Sequence, residues 1–116
     1  MKVAVCGPRW VQKIDLESVL PEATSTIVSG GARGVDTLAE NFARQRGLKT
    51  IIHYPDYKRY GRRAPLVRNS LIVGDADQVI AFWDGVSRGT HDTIKKAERK
   101  GKPVLIVSVE VGRNDE

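Results

Sequence analysis

Three short stretches of this chain carry the residue types that hold phosphate. Residues 29–36 read SGGARGVD, residues 84–90 read DGVSRGT, and residues 7–10 read GPRW. Glycine leaves backbone N–H groups open with no Cβ in the way, and a helix that starts there adds the positive end of its dipole. Hydroxyls and guanidinium groups at Ser29, Ser87, Thr90, Arg9 and at Arg68 in an Arg68-Asn69 pair could complete such a site. A plain structural reading stands beside each: glycines are also what tight turns require, and Asp36 can complement the dipole of a following helix as well as touch a ligand. Neither glycine loop is a standard fingerprint. GxxxxGK[ST] and GxGxxG are both absent, which speaks against a Walker-type nucleotidase and an ordinary dinucleotide site.

Positive charge is concentrated near the Arg-Asn pair. The stretch 57–69, YKRYGRRAPLVRN, holds Lys58, Arg59, Arg62, Arg63 and Arg68 and no acid, with Tyr54, Tyr57 and Tyr60 in or beside it. Cations meet phosphate and rings stack on bases, so the pattern suits a nucleotide, single-stranded nucleic acid, or simply a solvated loop. Catalytic candidates are few: Arg68 as an anion holder, and Asp36 or Asp92 as acid or base. His91, beside Asp92, could donate to phosphate or sit at the surface. Cys6 reads as a small core residue. His53 and His91 form no metal-spacing motif. No metal and no cofactor is expected.

These loops need a scaffold that brings them to one end. Five apolar runs, Lys2–Cys6, Thr26–Ser29, 49–53, 78–82 and 104–109, are Val/Ile-rich and continuous, the pattern of parallel strands buried on both faces. Between them, helical spacing marks 34–46, stopped by Gly47, and more weakly 11–20, stopped by Pro21. Residues 64–73 open with Pro65 in a first-turn position. A last helix runs to about Arg99 with Thr90 as its cap. The order βαβαβαβαβ implies a three-layer Rossmann-like α/β sandwich, with all the candidate loops at the carboxyl ends of strands.

Composition agrees with that reading. The chain has 116 residues, 41% of them hydrophobic and 28% charged, with a formal charge of +5. That is ordinary for one globular domain, expected over residues 1–109, with a polar tail over 110–116. A lone cysteine excludes an internal disulfide framework. No apolar run is long enough for a membrane helix or a signal peptide, so no membrane partner is expected and the cytoplasm is the expected location. The faces of 11–20 and 64–73 are candidate surfaces for a homo-oligomer.

Taken together, the GPR start, SGGARGVD, the RN pair and DGVSRGT resemble the SLOG superfamily of Rossmann-like domains, nearest to its small YspA/YpsA-related family. YPDYKRYG and FWDGVSRGT are similar to phrases of that family too, and the resemblance runs from Met1 to about Val107. It implies a five-stranded parallel sheet ordered 3-2-1-4-5 and a nucleotide-related ligand over the strand ends. By matching positions, Gly7 and Arg9 would line the first loop and Ser29, Gly30, Gly31, Gly34 and Asp36 would hold the second. Arg68 and Asn69 would reach in from a helix, while Ser87, Gly89 and Thr90 would cradle phosphate. Pro8 stands where the family more often has serine. The superfamily's LOG-type phosphoribohydrolases carry PGGxGTxxE. Here the glutamate position falls on Thr93, although Arg68 matches the arginine. The DNA-processing protein A branch shares SGxAxGxD and the RN helix and binds single-stranded DNA. The resemblance therefore implies a nucleotide sensor or carrier first. N-glycoside hydrolysis of a nucleoside monophosphate is the alternative, and single-stranded nucleic-acid binding through 57–68 is a second.

Overall fold

The computed structural model describes residues 1–110; the polar tail expected at 110–116 lies, apart from Glu110, outside the described residues. The elements are β1 (Lys2–Cys6), β2 (Thr26–Ser29), α1 (Val35–Arg46), β3 (Lys49–Ile52), the single turn α2 (Tyr57–Tyr60), α3 (Ala64–Asp75), β4 (Gln78–Trp83), α4 (Arg88–Arg99) and β5 (Val104–Ser108). A 3-10 turn, Gly61–Arg63, joins α2 to α3. The strands form one parallel sheet ordered β3-β2-β1-β4-β5, with Val3 opposite both Ile27 and Gln78. This is the expected Rossmann-like α/β architecture.

Period-two alternation along the strands sorts the core into two layers. Val3, Val5, Ile27, Ile80 and Phe82 pack beneath Val35, Ala39 and Ala43 of α1. Ala4, Val28, Val79 and Ala81 pack on the other face beneath Ile72 and Val73 of α3 and Ile94 and Ala97 of α4. The chain direction reverses its walk at β1, whose neighbours are β2 and β4. The loops after β1, β2 and β4 therefore meet above the same point, where α/β sheets open a crevice.

Three expectations are corrected. Residues 11–20 contain no helix: 11–16 run irregularly and 17–20 make a turn. Val11 and Leu16, five positions apart, both plug the α1 layer, a spacing that one helical face cannot satisfy. Asp15 meanwhile accepts hydrogen bonds from the Ser18 N–H at 3.2 Å and hydroxyl at 2.8 Å, a local turn that competes with helix. Of the two helix faces considered for self-association, only α3 exists, exposing Leu66 and Leu71. Secondly, the edge strands β3 and β5 are not buried on both faces: Lys49 and Thr50 are exposed, and Leu105 and Ile106 are 39% and 45% exposed. Thirdly, α4 begins at Arg88, so Thr90 stands inside its first turn with a buried side chain and does not cap it. Elsewhere the boundaries differ by a residue or two, as at α3, which continues past Val73 to Asp75.

Candidate functional site

Close approach of backbone builds the first wall. A Cβ on Gly7 would lie 2.5 Å from Val35 Cγ2 and 2.8 Å from the Phe82 carbonyl oxygen, so only glycine lets the β1 end pass between α1 and β4. Gly34 has φ +75, and a Cβ there would lie 2.4 Å from the Pro8 carbonyl oxygen. That same oxygen accepts the Val35 N–H at 3.3 Å. Gly34 thus fastens the GPRW loop to the start of α1. It serves the turn and does not line the cleft. Ser29 is buried too, and its hydroxyl donates to Glu40 Oε2 at 2.6 Å, away from the cleft.

The second wall is the β4–α4 loop, and one carboxylate organises it. Asp84 accepts from the backbone N–H of Val86 at 2.9 Å and of Ser87 at 2.7 Å, and from the Ser87 hydroxyl at 2.6 Å. The Trp10 indole reaches across from the first loop to donate to the same carboxylate at 3.1 Å. Partial burial works against the charge, yet these donors hold the Asp84 carboxyl well below the usual carboxylate range. Trp83 braces the loop from behind: its indole donates to the Ser87 carbonyl at 3.1 Å and its ring stacks on His91 at 5.2 Å. Because Ser87 spends its hydroxyl on Asp84, α4 has no side-chain cap. The first backbone hydrogen bond of the helix comes from His91. The N–H groups of Gly89 and Thr90, ahead of it, have no protein partner among the described residues and lie at the cleft.

The third wall is α3. Arg68 sends Nη1 to the Gly30 carbonyl and Nε to Asn69 Oδ1 at 3.0 Å. Buried Asn69 passes the connection on, donating to Asp92 Oδ2 at 3.0 Å and to the Gly89 carbonyl at 3.4 Å. Asp92 also pairs with Lys96, whose ammonium donates to the Leu66 carbonyl at 3.1 Å. Asp92 is therefore committed to joining α3 and α4, and it is not part of the cleft lining.

Between these walls lies a cleft of about 320 Å³. It brings together Gly7, Arg9, Asp36, Arg68, Asn69, Ser87, Gly89 and Thr90 of the residues singled out from the sequence, and adds Cys6, Ala32, Leu66 and Arg88. Gly30 and Gly31 line an adjoining recess of about 220 Å³ with Arg33, and Arg9 and Arg68 border both spaces. Arg9, Arg33, Arg68 and Arg88 make no ion pair within 4.0 Å among the described residues. The one carboxylate in the lining is Asp36. It is only 7% exposed, and burial pushes its carboxyl up to about 6 against the Ala32 N–H (3.1 Å) and the Arg68 charge. Burial, with Asp36 beside it, also raises the Cys6 thiol far above its ordinary value, which removes thiolate chemistry and leaves Cys6 as core.

The basic stretch divides. Of its five cations only Arg68 lines the cleft; Lys58, Arg59, Arg62 and Arg63 lie exposed on α2 and the turn after it. Arg88 joins Arg68 in the cleft, and Arg33 lines the adjoining recess. Both lie inside the glycine loops marked in the sequence, where their cationic side chains were the overlooked signal. The sequence reading also missed Trp10 as the bridge to Asp84.

Comparison with known proteins fits this fold. The sequence model of the YspA, cpYpsA-related SLOG family matches residues 1–60. The gene 61 protein of Mycobacterium phage D29 is 35% identical over 85 residues, covering 68% of each chain. The chain belongs to the YspA, cpYpsA-related SLOG family. Among solved structures, the SLOG domain resembles DNA processing protein A from Streptococcus pneumoniae, with a TM-score of 0.76 and 27% identity over 95% of this chain. It spans about half, 51%, of that longer protein. No helix among the described residues is long and apolar enough to cross a membrane.

Proposed function

We propose that the cleft binds a nucleotide or a nucleotide-derived phosphorylated ligand, and that the protein works as a sensor or carrier of it. One juxtaposition carries the reading. Gly89 and Thr90, whose N–H groups have no protein partner among the described residues, line the same space as Arg9, Arg68 and Arg88. Oriented N–H groups with bidentate cations are the chemistry of phosphate recognition. A volume of about 320 Å³ suits a small molecule. Membership of the SLOG family supports a nucleotide-related ligand, and the exposed rings of Tyr54, beside Gly31 of the recess, and Trp10, bonded to Asp84, offer surfaces for a base.

Binding without turnover is favoured over hydrolysis by the lining itself. Thr93, at the position of the LOG-type glutamate, is buried and donates its hydroxyl to the Gly89 carbonyl at 3.3 Å. A phosphoribohydrolase would have to rely on Asp36, the remaining carboxylate. The test is thermal shift with a panel of nucleoside 5′-monophosphates at millimolar concentration. A rise in melting temperature for wild type, absent in Arg68→Ala, is expected. No shift with any nucleotide overturns the reading, and release of free base from a nucleotide replaces it with the hydrolase.

One observation favours a nucleic-acid reading as the second choice. Tyr54, Tyr57 and Tyr60 are exposed beside Lys58, Arg59, Arg62 and Arg63, which make no ion pair within 4.0 Å among the described residues, and the structural relative is a DNA processing protein. Aromatic and cationic groups alternating on one surface suit single strands. Oligonucleotide affinity that falls steeply with salt supports this reading, and no binding at low salt removes it.

A further inference from the structure

A cleft bordered by Arg9, Arg68 and Arg88 has no electrostatic need of a carboxylate, yet it holds one. We infer, resting on the cleft's reading as a nucleotide site, that Asp36 is its specificity determinant. Its carboxylate accepts hydrogen bonds from hydroxyl or N–H groups of a nucleoside and disfavours bare anions that bring none. The geometry is particular. Asp36 sits in the first turn of α1, and its Oδ2 takes the Ala32 N–H at 3.1 Å, so the acid is held at the cleft with lone pairs left for a ligand. The charged and titratable groups facing it are Glu40 one turn along α1, Cys6 from β1 and Arg68 from α3. Glu40 is engaged by the Ser29 hydroxyl, and the Cys6 thiol stays neutral. Arg68 is steadied by Gly30 and Asn69.

An anion seated against the α4 terminus and Arg68 therefore meets a second negative charge at Asp36 unless that carboxyl takes up a proton. A ligand that offers a donor there meets an acceptor already in place. The same residue thus rewards the nucleoside part and penalises free sulfate or phosphate, a device built from repulsion as much as attraction. A bare anion should bind together with a proton, and a nucleotide without one.

Sulfate, fully ionised between pH 5 and 8, is the probe for the first case, and nucleoside 5′-monophosphates serve for the second. Isothermal titration of wild type should show sulfate affinity falling by at least about tenfold from pH 5 to pH 8, the factor carried by one unit of pKa displacement. Asp36→Asn should remove that dependence and lower the nucleotide-to-sulfate affinity ratio at pH 8 by about tenfold or more. Asparagine keeps an oxygen for the Ala32 N–H. A readout on the wild type alone is carbon-detected NMR of the Asp36 carboxyl, whose pKa should rise with sulfate and not with a nucleotide. An affinity ratio within twofold of wild type in Asp36→Asn, or sulfate binding that is flat with pH, overturns the role of Asp36 and leaves the nucleotide reading standing. If wild type binds neither sulfate nor any nucleotide, both fall.

Discussion

Asn69 Nδ2 stands 3.0 Å from Asp92 Oδ2, and this bond joins the helix before β4 to the helix after it at the height of the cleft. The Asn69 amide is 5% exposed and serves three partners: it accepts from Arg68 and donates to Asp92 and to the Gly89 carbonyl. Positioning of Arg68 and of the α4 terminus is therefore one structural problem, solved by one side chain.

Asn69→Ala should consequently act twice. It takes one partner from Asp92, which keeps Lys96, and one from Arg68 Nε. Unfolding free energy should therefore fall by about 1–3 kcal/mol, the cost of losing hydrogen bonds to charged groups in a partly buried network. Nucleotide or sulfate affinity should fall as well, because Arg68 loses one of its two anchors. Urea unfolding and calorimetry measure the two effects separately. Lost stability with unchanged anion affinity would mean that the Gly30 carbonyl alone orients the arginine.

Gly89 makes the opposite demand. A Cβ there would meet no protein atom within 4 Å, and the residue lies in the first turn of α4 facing the cleft. Gly89→Ala should leave the fold intact and even stabilise it by up to about 1 kcal/mol through helix propensity. The added methyl group would occupy the approach to the free N–H groups, so anion affinity should drop while the melting temperature rises. Stability and binding moving in opposite directions is the signature to look for. A variant that binds as well as wild type shows that the anion does not approach this terminus.

Away from the cleft, Lys102 closes a helix. Its ammonium donates to the carbonyls of Val73 at 2.7 Å, Gly74 at 3.2 Å and Ala76 at 2.7 Å, the free end of α3. Lys102→Met keeps the aliphatic stem and removes the donors. A loss of about 1.5–3 kcal/mol in chemical unfolding is expected, in the range of hydrogen bonds to charged groups. Nucleotide binding should not change, because α3 is separately pinned near the cleft by Asn69.

The contrast between these sites explains what could be read from the residues. The strands and their order follow from continuous Val/Ile runs and from loops that resemble a known family. The glycine loops likewise declare their turns. Residues 11–20 deceive because Val11, Ile14 and Val19 imitate a helical stripe, while Leu16 and the Asp15–Ser18 turn decide the conformation. Charge density along 57–69 identifies a basic surface but not its direction. Lys58, Arg59, Arg62 and Arg63 face solvent, and the cleft is lined instead by Arg9, Arg68 and Arg88, with Arg33 in the adjoining recess, dispersed in sequence and gathered by crossovers. The protonation of Asp36 is set by its burial and opposed by the charge of Arg68, which arrives from a distant element.

That burial has a cost that pH can display. The Asp36 carboxyl moves from an ordinary 3.8 to about 6 in the folded protein, so the folded state holds its proton more tightly than the unfolded chain does. The sign follows from linkage. The contribution to stability is fully present below pH 3.8 and is lost as pH rises through about 6, above which the ionised carboxylate is a constant burden. The displacement corresponds to on the order of 3 kcal/mol. Asp36→Asn keeps the shape and cannot ionise. It should match wild type near pH 4, overtake it between pH 4 and 6, and be more stable by roughly 2–3 kcal/mol at pH 8. Urea unfolding of both proteins at four pH values tests this directly. A parallel pair of stability profiles would show that Asp36 is ionised without strain in the folded protein, and a wild-type advantage at pH 8 would show that its negative charge is stabilising. With the expected divergence, the protein forgoes stability to keep a carboxylate among its arginines, as residues placed for a ligand commonly do.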